Sequence, residues 1–285
     1  MNAPARGQRT SVWRILRAQP LTMAALAMLS FIVAAAILVP LLSPYDYATP
    51  QWTRIFTPPT LRGGQVFGTD GLGRDLLVRV MWGCRVSLSV GAAASLVSVC
   101  IGVLWGATAG YRGGKLDAWM MRTVDVLYSV PFIPFVIVLT VVFGRHFLLV
   151  FVAIGAVSWL DVARVVRGQT KSLAQREFIE AARVLGVRTP AMIWRHLVPN
   201  LLGLVSVYAT LTVPAIILFE ALLSFLGLGV QAPLASLGTL VADGAGEMQA
   251  NPYVLLIPAT FLALIILCLN QLGDGLRDAL DPRGR

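Results

Sequence analysis

Six apolar runs, at 21–42, 86–109, 126–143, 147–166, 201–222 and 253–272, alternate with polar intervals along this chain. Each is close to the ~20 residues that a helix needs to cross a hydrocarbon core. The pattern predicts an all-α polytopic membrane protein with six transmembrane helices. The run at 86–109 carries no charge. The third run has Pro131 and Pro134 near its start, and 116–125 reads as a helical lead-in to it. The fourth is the least apolar, with Asp161 and Arg164 in its last turns, and Pro214 interrupts the fifth. Residues 43–85 form a long polar segment rich in Pro and Gly, and 1–20 read as a polar, basic tail. The stretch 221–242 is uncharged and long enough to span. Its Gly227, Gly229, Gln231, Pro233 and Gly238 suit a partly buried loop better.

The interval 172–200 is the longest polar-rich stretch in the second half of the chain. It predicts two short helices with a bend between them. Ser172 and Gln175 have capping-box spacing. Phe178, Ala182 and Leu185 fall on one helical face, and Arg176 and Glu180 stand at i and i+4. Gly186 occupies the place where a helix end needs positive φ. Thr189 and Pro190 suit an N-cap followed by Pro at the first helical position, and Pro199 is expected to close the second helix. Such a pair lies on the membrane surface or docks its apolar stripe on a partner outside the bilayer.

Composition agrees with the pattern. The chain is 57% hydrophobic and 13% charged, against about 25% charged in soluble domains. The net charge of +9 is first a topology signal, and nucleic acid is a poor second reading. With six spans, 17 of the 23 Lys and Arg fall on the side of both termini and of 172–200, which the positive-inside rule makes cytoplasmic. The run 21–42 is too long for a signal-peptide core and no small-residue cleavage site follows it. Cys84, Cys100 and Cys268 have no metal or redox spacing, and His146 and His196 are the only histidines. GYRGGKL at 110–116 lacks phosphate-loop spacing, and neither H-E-x-x-H nor G-x-S-x-G occurs. No cofactor or metal is expected on this chain, and a nucleotide-driven process would have to borrow its nucleotide site.

Four segments carry a resemblance. Glu180-Ala181-Ala182, Gly186 and His196-Leu197-Val198-Pro199, at their spacing, resemble the EAA loop of ABC importer permeases. That family commonly has Ile at the place of His196 and Leu at the place of Val198. GTDGLGRD at 68–75, S-W-x-x-x-A-R-x-V-R-G at 158–168 and the E-A-L-L-S-F-L-G-L-G run from Glu220 resemble the dipeptide and oligopeptide branch, in its C-type subunit. The family does not usually carry an acid at 161. The resemblance implies a type I importer permease fold with cytoplasmic coupling helices. It divides the chain into 1–66 (tail, first span, start of the outer loop), a core at 67–275 with five spans and the coupling loop, and a tail at 276–285. Implied partners are a second permease subunit in a heterodimer, two cytoplasmic ATPases using ATP and Mg, an extracytoplasmic substrate-binding protein and membrane lipid, in a bacterial inner membrane.

Phe178, Glu180, Ala181, Ala182, Leu185, Gly186, His196 and Pro199 are thereby the expected ATPase-coupling residues. Asp161, Arg164 and Glu220 are candidate structural or pathway charges. For Asp161 and Arg164 local pairing at i and i+3 is the simplest account. For Glu220 it is an arginine partner or a cap on the following loop. Nickel complexes or glutathione are alternative cargoes within the family. A proton-coupled secondary transporter would need ionisable residues near mid-bilayer, and a membrane hydrolase a catalytic set; the first, second, third and sixth runs hold no ionisable residue and no catalytic set is visible.

Overall fold

A computed structural model describes residues 12–60, 64–144 and 147–280. Arg6, Arg9, Arg62, Arg145, His146, Arg283 and Arg285 lie outside the described residues. The chain forms α1 (Val12–Ala18), α2 (Pro20–Leu42), a 3₁₀ turn (Trp52–Arg54), α3 (Leu76–Arg112), α4 (Gly114–Tyr128), α5 (Phe132–Phe143) and α6 (Phe147–Ala174). Then follow α7 (Glu177–Val184), α8 (Thr189–Ala191), a π-helical turn (Met192–Leu197), α9 (Val198–Phe225), α10 (Leu237–Gly246) and α11 (Pro252–Leu280). No strand occurs among the described residues. Four helical stretches are long and apolar enough to cross a membrane: Pro20–Leu42, Leu76–Arg112, Thr189–Phe225 and Pro252–Leu280. A fifth is made if α4 and α5, bent by 77°, count as one.

The central helix is α3. Its Gly102, Gly106 and Gly110 recur every fourth residue and face α6. A Cβ on Gly102 would stand 2.6 Å from Val162 Cβ, one on Gly110 would stand 2.7 Å from Arg167 O, and one on Gly106 would run into Ala163 O. Only the missing side chains let the two backbones meet, which is how small residues at four-residue spacing pack membrane helices. On other faces α3 meets α9 and α2. The buried side chains form a core around Ile32, Leu76, Val80, Ile217, Leu237 and Ile265 at one end. Another core, around Val103, Val162, Val166, Ile179, Met192 and Leu197, lies at the end that carries the 172–200 loop.

Several expected boundaries move. Residues 76–85, read as polar loop, are the first turns of α3. Asp75 caps that helix by accepting from Val78 N (2.9 Å). The charge of Arg79 in these turns is answered by Asp70, 3.2 Å from its Nε, and by Asp243 at 4.0 Å, while Asp70 also pairs with Arg74 Nε at 2.8 Å just before the helix. Gly73 (φ +73°) makes the tight turn between them. Arg85 lies in the same helix without a carboxylate. Pro40 lacks an N–H, so Ala36 O has no helical partner; Arg85 Nη2 donates to it at 2.9 Å and to Ile37 O at 3.2 Å. The expected tail at 1–20 contains α1. The third span is broken at Pro131, because the residue before a proline is steered out of the helical region. The stretch 221–242 does not cross as one helix: α9 ends at Phe225 and α10 begins at Leu237 under a capping box of Ser236 and Thr239.

Candidate coupling site

At the loop end, α6 runs without interruption through Ser172 to Ala174. The expected capping box at Ser172 and Gln175 is therefore absent. Lys171 Nζ, 2.7 Å from Asp117 of α4, anchors that last turn and holds it helical. The first loop helix is α7, starting at Glu177, with Glu177 and Glu180 in its first turn, where carboxylates oppose the positive helix end. Arg176 has extended backbone (φ −81°, ψ 143°) as the residue before the helix. The expected Arg176–Glu180 pair consequently does not form.

Gly186 meets its expectation, with φ +78°. Val187 N donates to Ala182 O (3.1 Å) and Gly186 N to Arg183 O (3.0 Å). This pair of bonds satisfies the last carbonyls of α7 and needs a left-handed residue between them. The second helix starts at Thr189, one residue before the expected place, with Arg188 as its cap. Pro199 does not close it. The helix is continuous from Thr189 to Phe225. The wider π-helical turn just before Pro199 absorbs the bond that a proline cannot make, and Asn200 Nδ2 donates to His196 O (2.6 Å). The second loop helix and the membrane helix are thus one continuous helix.

The apolar stripe is rotated from its expected phase. Ile179 and Ala182 are buried against Met192, Ile193, Leu197 and Val166. Ala182 is an internal packing position, contrary to its expected place on an outward docking face. Phe178 (45% exposed) and Leu185 (83%) do face outward, joined by Val184 (87%) and Trp194 (58%). Glu180 and Ala181 are exposed and His196 is half-buried. The outward apolar set is bordered by the exposed charges of Arg176, Glu177, Glu180, Arg183, Arg188 and Arg195.

The candidate charges stand apart from the loop. Arg164 does not pair with Asp161. It reaches Asp125 of α4 at 2.9 Å and covers the Tyr128 ring at 4.3 Å, because its side chain points across to α4 while Asp161 is exposed. Glu220 is fully buried and has no arginine partner among the described residues. Its carboxylate accepts from Ser87 Oγ (3.0 Å) and Ser224 Oγ (2.7 Å). Ser87 Oγ accepts in turn from Leu237 N (3.2 Å), so the cluster ties α3, α9 and the start of α10 together. Asp117 escaped notice in the sequence: it is buried, accepts from Arg167 Nε and Nη2, and holds Lys171. Its signal was an acid in a helix whose basic partners lie 50 residues and more away, which no local spacing reveals.

Long apolar helices joined at one end by a bent, partly apolar helical loop describe a polytopic membrane protein. Residues 102–285 match the family described as the inner membrane component of binding-protein-dependent transport systems. Residues 7–59 match the N-terminal transmembrane domain of oligopeptide transport permease C. The chain belongs to this family of transport permeases. It is 53% identical over 262 residues to the oligopeptide transport system permease protein OppC of Escherichia coli (strain K12), covering 92% of this chain and 87% of that protein. It is 51% identical over 262 residues to OppC of Haemophilus influenzae, covering 92% and 84%. It is 41% identical over 283 residues to the dipeptide transport system permease protein DppC of Bacillus subtilis, covering 99% and 88%. A solved chain of the inward-facing MetNI methionine ABC transporter shares the fold, with a TM-score of 0.56 at 20% identity, covering 71% of this chain and 96% of that one.

Proposed function

We propose that this chain is the C-type permease subunit of an ATP-driven importer of oligopeptides or dipeptides. It spans the inner membrane six times, with α4 and α5 forming one broken span and α6 supplying another. Both termini and the 172–200 loop are cytoplasmic. A related second permease completes the pathway, an extracytoplasmic binding protein delivers the peptide, and two ATPase subunits spend ATP and Mg on the chain's behalf. The chain carries no nucleotide site and no cofactor of its own.

The observation that carries this reading is the unbroken helix from Thr189 to Phe225. A push on the exposed Phe178, Val184, Leu185 and Trp194 is transmitted through the closed α7 turn into a helix that crosses the bundle. A loop that only lay on the membrane surface would need no rigid connection to a span. The test is peptide uptake into proteoliposomes holding the complete assembly. Uptake that follows ATP and survives collapse of the proton gradient supports the proposal. Uptake that follows the proton gradient without ATP contradicts it.

A further inference from the structure

The two halves of the bent span are held in different ways. α4 is fastened at the loop end. Asp117 near its start accepts from Arg167 Nε and, at 2.7 Å, from Arg167 Nη2, and Lys171 Nζ stands 2.7 Å from the same carboxylate. Further along α4, Asp125 accepts from Arg164 at 2.9 Å. Trp105 Nε1 of α3 donates to Met120 O (3.1 Å), and Val124 packs with Trp159, Leu160 and Ala163. α5 packs through apolar side chains and nearer the start of α6, with Val136 among Val90, Ala94, Ile154 of α6, Ile216 and Leu223.

Between the halves lie 129–131. Ser129 N and Val130 N donate back to carbonyls of α4, Pro131 has no N–H, and Phe135 N donates to Pro131 O. No backbone hydrogen bond joins α4 to α5 among the described residues. A connection of three residues that carries a 77° bend and no shared backbone bonds is built as a hinge. By contrast, the basic residues that grip α4 all sit on the last turns of α6, which leads into α7 across only two residues.

We propose that α4 is a rigid extension of the coupling loop, that Asp117 and Asp125 are positioning residues fastening it to α6, and that 129–131 is the hinge on which it turns against α5 during transport. This rests on the proposed function, since it takes the loop to be the part that ATP moves. Asp117 is buried between two cations, so neutralising it leaves both without their partner; that loosens the grip without touching the hinge.

Spin labels test it directly in the assembled transporter, with Cys84, Cys100 and Cys268 first replaced. One pair is Trp119→Cys with Ser172→Cys, from α4 to the loop. The other is Val138→Cys with Ser172→Cys, from α5 to the loop; all three positions are exposed. ATP binding is expected to shift the 138–172 distance by several ångströms and to leave 119–172 unchanged. In Asp117→Asn the 119–172 distribution broadens and peptide moved per ATP hydrolysed falls severalfold, while Asp117→Glu restores both. If Asp117→Asn fails to reach the membrane, Arg164→Asp should broaden the same distribution and the exchange of Asp125→Arg with Arg164→Asp should narrow it again. A 119–172 distance that shifts as far as 138–172 overturns this inference and leaves the proposed function standing. No response to ATP in either pair overturns both. An Asp117→Asn protein with a narrow 119–172 distribution and normal coupling overturns the positioning role.

Discussion

Arg85 answers a gap that Pro40 opens one helix away. Replacing it by Leu leaves Ala36 O without a donor, at a cost of about 1–3 kcal/mol. Arg85→Leu should lower the thermal midpoint of the detergent-solubilised protein, and Arg85→Lys should recover part of the loss; an unchanged midpoint in Arg85→Leu would contradict the role. Ala182 shows how narrow the margin of a sequence reading is at this scale. Phe178 and Ile179 are adjacent and both apolar, so the stripe through Ala182 can be drawn through either. Burial selects Ile179. Ala182→Arg is therefore expected to force a charge into the chain's own core, at a cost of several kcal/mol, and to reduce membrane abundance. Normal abundance would show that Ala182 faces outward after all. Gly186 was legible because only a residue without Cβ holds φ +78° cheaply. Glu220 was legible as a candidate structural charge, but the expected arginine partner is replaced by serines from α3 and from its own next turn, and only the first of these requires the fold.

At the scale of elements, length and apolarity revealed where the helices are and misjudged where they stop. The start of α3 was hidden by Arg79 and Arg85, whose charges look like loop until Asp70 and Ala36 O are seen beside them. The continuity through Pro199 was hidden because a proline ordinarily ends a helix, and the π-helical turn that tolerates it has no simple sequence signature. The four-residue spacing of the glycines at 102, 106 and 110 suits close helix packing, but only the fold shows that α6 is the helix they meet. Their consequence is testable: Gly106→Leu should separate α3 from α6, since even its Cβ meets Ala163 O. The expected result is loss of folded protein from the membrane, with Gly113→Ala, where a Cβ meets nothing within 4 Å, far milder despite its φ of +63°. Equal abundance of Gly106→Leu and the parent protein would contradict close α3–α6 packing.

For the whole molecule, the proposed orientation follows from the 17 of 23 basic residues that six spans would place on the loop side. An impermeant thiol reagent added to intact cells, after removal of the native cysteines, should spare Ser172→Cys and react with Gln231→Cys. Labelling of Ser172→Cys from outside would invert the topology. The helical class, the helical loop and the kind of machine were visible in the sequence, because they follow from apolar run length and a spaced motif; against the six expected spans, the described residues hold four helices long and apolar enough to cross, or five with the bent pair. The grip of α6 on α4 was not, because it joins residues about 40 to 50 positions apart.

The central claim is that the outward apolar residues of the 172–200 loop hold the ATPases. Leu185 is the sharpest probe, since it is 83% exposed and its replacement leaves the chain's own core intact. Recovery of the ATPase subunits with purified Leu185→Asp permease, alongside membrane abundance, is the direct measurement. The account predicts normal abundance with ATPase recovery lowered by about tenfold or more, as loss of one buried leucine implies. Undiminished ATPase recovery and transport in both Leu185→Asp and Trp194→Asp would contradict it.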